Sequence, residues 1–260
     1  MYTRISILAI ISSLMISASC NKSNNTVDAQ PYKLGYGDSI LYLQPSAGDY
    51  IVFPTSQRTG TYAGFPDGIE IDDRTGAINI SKSETGLRYR ITHTAADGTK
   101  TETMVVLSGI TFKDHFYKLS TGDSIASPVY NASENRVMPL NGSSFDEGNV
   151  ANGGGCSVKT DNGKINLAES MRLGVFGSNP RNDDQKEVEI KYRINDGSGK
   201  SLNKLKVKLY LYDTMADVPQ YLWDILNGRI SDGVFLKGET AARIEQLAKP
   251  RPPCVIIVDH

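Results

Sequence analysis

The residues of this chain best suited to chemistry are three histidines, three cysteines and two adjacent aspartate pairs. Nucleophilic catalysis needs a Ser, Cys or Thr beside a base that a third group orients. His93 falls in an alternating strand pattern, His115 in a linker and His260 at the chain end, and no Gly-x-Ser-x-Gly elbow supplies a nucleophile. The cysteines and histidines never reach the Cys-x-x-Cys or His-Glu-x-x-His spacing of a zinc site. "NGGGCS", Asn152 to Ser157, lacks the Lys and helix that would make it a phosphate loop. The expectation is a protein without catalysis and without a cofactor.

The aspartate pairs are Asp72 with Asp73 and Asp183 with Asp184. A tight calcium site gathers roughly six oxygens, and neither pair has the alternating acids that would supply them. Asp72 in "IDDRTG" reads first as a turn organiser that accepts backbone N–H bonds, with calcium as the weaker alternative and no metal assigned. Exposed aromatics offer another chemistry, stacking on the faces of sugar rings. Tyr36, Tyr42, Tyr50, Tyr62, Tyr130, Tyr221 and Trp223 lie in or near loops, although most aromatics of a β protein fill its core. Trp223 and Tyr221 are the glycan-contact candidates, because they sit where the chain has no copy of itself. Lys plus Arg at 28 against Asp plus Glu at 29 leaves a formal charge of −1. No strong field draws nucleic acid or an anionic membrane.

The elements that must position these residues come in a repeat. "YKLGYGDSI" at Tyr32 returns 85 residues later as "YKLSTGDSI" at Tyr117. "GIEIDDRTGAINI", Gly68 to Ile80, finds its echo in "CSVKTDNGKINL", Cys156 to Leu167. "LRYRITHTAADGTKTETMVVLSG" and "IKYRINDGSGKSLNKLKVKLYLYD" each read as a strand, a glycine turn and a final strand. Ile69, Ile71, Ile78 and Ile80 alternate with polar residues, as do Tyr89, Ile91 and His93, with Met104 and Val106 continuing past the turn. Tyr192 and Ile194, then Leu205, Val207, Leu209 and Leu211, repeat the pattern. Short strands with frequent turns predict an all-β fold of two tandem Ig-like β-sandwich domains, residues 32–110 and 116–214. "NGSSFDEGNVANGGGCS", Asn141 to Ser157, has no hydrophobic period and reads as a long loop, disordered before it is a binding element.

Residues 215–260 form a tail without an upstream copy. "DVPQYLWDILNG" predicts a helix capped by Asp217 and stopped at Gly228, "GETAARIEQLAK" a second helix, and "CVIIVDH" a closing strand. Cys156 and Cys254 form an even pair in an oxidising setting, with a disulfide and two buried thiols both open.

The beginning of the chain is of a different kind. After Arg4 comes the apolar run "ISILAIISSLMIS", the length of a secretory signal and short for a bilayer span. It ends in Ser17, Ala18 and Ser19 before Cys20, which resembles the lipobox of bacterial lipoproteins, in the looser form of Bacteroidota. The resemblance implies a signal peptide over 1–19, lipidation of Cys20, a flexible tether over 20–31 and an address in the cell envelope, at the outer membrane. Several acyl chains would hold such a protein durably on the membrane without spanning it.

"FPDGIEIDDRTGAINI" resembles the bacterial Ig-like and cadherin-like modules through Phe65, Pro66, Gly68, Ile69, Ile71, Asp72, Thr75, Gly76 and Ile78. The second copy keeps only Asn162, Gly163 and Ile165 of that pattern. Asp38-Ser39-Ile40, Asp123-Ser124-Ile125 and Asp213-Thr214-Met215 resemble the O-glycosylation acceptor of exported Bacteroidota proteins, which makes Ser39, Ser124 and Thr214 candidate acceptors. Together these imply a lipid-anchored, non-catalytic accessory protein, adhesive or binding an extracellular glycan or envelope protein. The alternatives are a fimbrial-type subunit that assembles through strand addition by "CVIIVDH", and a glycan-capture lipoprotein of a polysaccharide uptake system. The sequence leaves the oligomeric state open.

Overall fold

Alternation decides where the strands form. The computed structural model of the chain describes residues 32–231 and 253–258. In chain order, the first half contributes β1 (Ile40–Leu41), β2 (Ile51–Val52), β3 (Thr61–Phe65), β4 (Ile78–Asn79), β5 (Arg88–Thr94) and β6 (Lys100–Leu107). There follow β7 (Ile110–Phe112), β8 (His115–Lys118), β9 (Ile125–Ala126), β10 (Pro128–Tyr130), β11 (Ser144–Phe145), β12 (Ser157–Val158), β13 (Ile165–Asn166), β14 (Gln185–Arg193), β15 (Asn203–Tyr212) and β16 (Cys254–Val258). Two short helices, α1 (Val150–Gly153) and α2 (Leu167–Arg172), flank β12 and β13, and α3 (Gln220–Ser231) follows β15. The fold is all-β, with a helical tail that ends in a strand. The signal peptide, Cys20, the tether, the second tail helix and His260 lie outside the described residues.

Sheet ladders stay within each half. The first half has a four-stranded sheet in the order β1-β6-β5-β3 and a β2-β4 pair that Ile71 extends by a bridge to Ile78. The second has β11-β14-β15-β16-β8, β12-β13-β9 and a β10-β7 pair. On β5, Tyr89, Ile91 and His93 turn inward, and Asp97 and Gly98 make the turn into β6. There the inward set is Val105 and Leu107. Met104 points outward, 39% exposed, while Val106, paired with Ile40 of β1, is buried. The register explains the difference, since Tyr89 stands opposite Val105 and so fixes that residue on the core face.

The second half buries both faces of its large sheet along β16 and the end of β15. Leu205, Val207, Leu209 and Leu211 join Val255 and Ile257 in one core, while Tyr210 and Tyr212 join Cys254, Ile256 and Val258 on the other face beneath Leu222 and Leu226 of α3. A strand covered on both faces needs a continuous apolar run, and "CVIIV" supplies one. β16 lies between β15 and β8, parallel to both, within this chain's own sheet. α3 itself starts at Gln220, after a one-turn 3-10 segment that Thr214 and Asp217 cap reciprocally, and runs past Gly228 to Ser231.

The stretch from Asn141 to Ser157, expected to be disordered, is an ordered element. Buried Asp146 accepts bonds from the Ala151 and Asn152 backbone N–H groups and from the Asn152 side chain, closing the loop around α1. That carboxylate, together with Phe145, Ala151 and Cys156 buried in the core, orders a stretch that has no hydrophobic period.

The described residues from Lys33 on belong to one compact unit, and the halves meet through polar contacts. The Tyr192 hydroxyl lies 2.9 Å from Thr85 Oγ1 and accepts the Ile110 N–H at 3.1 Å. Ser108 and Tyr130 both donate to Asp196 Oδ2, at 3.1 and 2.7 Å. Burial, with Asp196 beside it, pushes the Tyr130 phenol well above its usual value, and burial pushes Tyr192 up to about 12. Gly109 sits at φ +153°, where a Cβ would come within 2.5 Å of the Tyr192 oxygen.

Candidate functional site

The surface best equipped to hold a ligand is built on β2. Ile51 and Phe53 are two residues apart and share a face. Pro54, buried, ends the strand behind them. The pairing of Ile51 with Asn79 and of Val52 with Ile78 fixes the register, and the Tyr50 carbonyl takes the Ile80 N–H at 2.9 Å. Outward of this frame Phe53 is 55% exposed and Ile51 44%. They line a groove of about 740 Å³ whose polar rim includes Glu70, Asp73 and Asn79.

The rim is held by the "DDRTG" turn. Asp72 Oδ1 accepts from Thr75 N at 2.7 Å, Thr75 Oγ1 at 2.8 Å and Arg74 N at 3.0 Å. Those bonds, led by the Thr75 N–H, hold the Asp72 carboxyl below the usual carboxylate range. Gly76 closes the turn at φ +71°, with the Tyr62 ring 2.6 Å from where a Cβ would stand. Asp72 is thus committed to the turn, and Asp73 and Glu70 are left to point outward, able to accept hydroxyl protons.

The second half shows that the fold does not require the aromatic. β9 pairs with β13 as β2 pairs with β4, Ile125 standing opposite Asn166 as Ile51 stands opposite Asn79. The parallel continues along the chain, "IASP" against "IVFP", so that exposed Ser127 occupies the place of Phe53. Nothing in the sequence alone reveals this correspondence, because "YIVFP" reads as an ordinary apolar strand.

Glu70 also lines a larger cleft, about 970 Å³, between the halves. One wall is the outer face of β14 and β15, with Glu189, Lys191, Lys204 and Lys206, and the other carries Glu70 and Glu84.

The residues singled out from the sequence are scattered. Tyr36, Tyr62 and Tyr130 are buried, and Tyr42 and Tyr50 are partly covered. The Trp223 ring packs on Phe116 at 4.3 Å between centroids, at the edge of the core under α3. Tyr221 is 47% exposed. His93 is buried on the Tyr62 ring with its Nε2 3.2 Å from the Thr59 carbonyl. His115 is exposed, 3.8 Å from Asp123.

Cys156 and Cys254 are buried thiols in no disulfide, in cores on opposite faces of the large sheet. Asp183 accepts from the Tyr212 hydroxyl and Asp184 from the Arg181 N–H, and among the described residues no cluster of three or more His, Cys, Asp or Glu side chains gathers as a ligand set. Ser39 and Thr214 are exposed and Ser124 half-buried; the Thr214 hydroxyl donates to Asp217 at 2.6 Å. Among the described residues, no helix is long and apolar enough to cross a membrane.

No protein-family model matches the chain, and no curated protein does. Among solved structures it is similar to a SusE-like, surface-located polysaccharide-binding protein from the heparin utilisation locus of Bacteroides thetaiotaomicron, with 10% identity over 71% of this chain and a TM-score of 0.24. The chain spans about 35% of that protein's length. It is also similar to the EC1-3 segment of the mouse clustered protocadherin PcdhgC3, with 9% identity over 70% of this chain and 68% of the other, and a TM-score of 0.20.

Proposed function

We propose that the chain is a non-catalytic, lipid-anchored protein of the bacterial cell envelope that binds glycan in the groove beside Phe53, its two halves acting as tandem β-sandwich modules that hold the groove away from the membrane. The observation that carries this reading is the exposed Phe53 ring at a position the second half fills with Ser127. A ring more than half exposed, set between an aliphatic neighbour and outward carboxylates, suits a sugar ring. Its apolar face stacks and its hydroxyls donate to Asp73 and Glu70. The signal-like start and Cys20 support the envelope address.

Affinity electrophoresis through gels containing a panel of polysaccharides tests the reading. One of them retards the wild type, and Phe53→Ala weakens that retardation roughly ten- to a hundred-fold, since a buried Phe side chain contributes about 1.5–3 kcal/mol. Tyr221→Ala serves as the comparison and leaves retardation in place. Unaltered retardation of Phe53→Ala would sink the assignment.

A further inference from the structure

The outward face of β14 and β15 carries its charges in register. Glu187 stands opposite Lys208 and Glu189 opposite Lys206, but the third rung sets Lys191 opposite Lys204. Like charges directly opposed on a sheet repel, and a sheet ordinarily avoids them. Lys206 satisfies itself diagonally with Glu187 at 2.8 Å, and Lys191 reaches Glu189 only at 3.8 Å. Among the described residues Lys204 has no ion-pair partner. This rung forms part of the wall of the larger cleft, and Glu70, on the other wall, also lines the Phe53 groove, so the two depressions adjoin at that residue.

We propose that Lys191 and Lys204 form a subsite for the acidic substituent of the same glycan, a carboxylate or a sulfate ester, which makes the ligand an acidic polysaccharide. The inference rests on the glycan reading for the chain that runs from Phe53 into the cleft. An anion placed between the two ammonium groups relieves their repulsion and takes charge-assisted hydrogen bonds from both. The facing wall carries Asp67, Glu70 and Glu84, with Lys82 held by Asp49 at 2.8 Å, so the anion sits against the lysine wall while the carboxylates opposite accept from sugar hydroxyls. An acidic sugar presents both kinds of group at once, whereas a neutral one leaves the lysine rung unanswered.

Three gels test it on the full chain in detergent: polygalacturonate for carboxylate, κ-carrageenan for sulfate ester, and agarose as the neutral galactan. The wild type is retarded at least ten-fold more by one acidic polymer than by agarose at low salt, and which polymer it is identifies the anion. A Lys191→Gln/Lys204→Gln double variant loses that excess. Inorganic sulfate, against chloride at equal ionic strength, raises the melting temperature of the wild type by more than that of the double variant. Equal retardation by agarose, an undiminished excess in the double variant, or equal stabilisation by sulfate would each overturn the subsite. If Phe53→Ala binds normally while the lysine variant does not, the Phe53 groove is retired and the lysine pair stands.

Discussion

The two halves close their main sheets differently around the same words. In the first half the strand after "GDSI", β1, lies parallel to the final strand β6, with Ile40 opposite Val106. In the second half the strand after "GDSI", β9, belongs to another sheet and pairs with β13. The place beside the final strand β15 goes instead to the chain's own end, β16, with β8 outside it. What is shared is the "G-x-I-N" turn. Gly76 and Gly163 both sit at φ +71°, and a Cβ on either would come within 2.6 Å of Tyr62 or 2.7 Å of Phe145. Two-residue strands specify their partner weakly, whereas a glycine pressed on an aromatic ring admits one arrangement. The repeat is therefore conservative at its turns and free at its edges.

Removing β16 breaks the comparison hardest. Val255, Ile256, Ile257 and Val258 are fully buried, and at about 1.5–3 kcal/mol each their burial approaches the whole stability of a domain. A chain ending at Pro253 loses cooperative melting of the second half, while the first half, which shares no ladder with β16, keeps its own transition. Calorimetry followed by limited proteolysis reads this as a protected N-terminal fragment. Cooperative melting of both halves after truncation would show that β16 is an accessory.

Next in size are the two turn glycines. Gly76→Ala and Gly163→Ala each force a left-handed residue, about 1–2 kcal/mol, and press a methyl into a buried ring, about 1–3 kcal/mol more. If the turns are equivalent, urea titrations give the two variants similar losses. A loss confined to one would make the resemblance of the turns superficial.

The junction sharpens the comparison at smaller scale. Tyr192→Phe leaves the Ile110 N–H and Thr85 hydroxyl without their shared partner, at a cost of about 1–3 kcal/mol. Because burial raises the Tyr192 phenol from 10.0 to about 12, the native state favours the neutral form. That contribution is whole below pH 10 and is lost as pH rises toward 12. The wild type thus loses stability across that window more steeply than Tyr192→Phe, as denaturant midpoints taken at each pH would show. Parallel pH profiles would place the alkaline weakness elsewhere.

How much of this was legible follows from the same physics. Period-two alternation exposed β5, β14 and β15, and the uninterrupted "CVIIV" announced a strand, because burial on one face or both writes itself into local sequence. Register did not, and so Met104 was expected inside when it faces out. Asp146 organises its loop through bonds to backbone that any sequence could offer, so the order of that stretch leaves no periodic mark. Trp223 looked like a platform by composition, but its surroundings are set by Phe116, more than a hundred residues away. Phe53 became visible only once β2 and β9 could be laid over each other.

That overlay yields the smallest expected effect on stability and the most direct one on function. Phe53→Ser gives the first half the residue that the second half carries at Ser127, just past a strand with the same pairing. An exposed substitution away from caps and cores changes stability by within about 0.5 kcal/mol, so the melting temperature of Phe53→Ser stays near that of the wild type while its glycan retardation falls. The reciprocal Ser127→Phe places a ring beside equally exposed Ile125, 44% open, but without the outward acids of the "DDRTG" turn. It gains no retardation. A second binding site created by Ser127→Phe would mean that an exposed ring alone suffices, and that Asp73 and Glu70 contribute nothing to recognition.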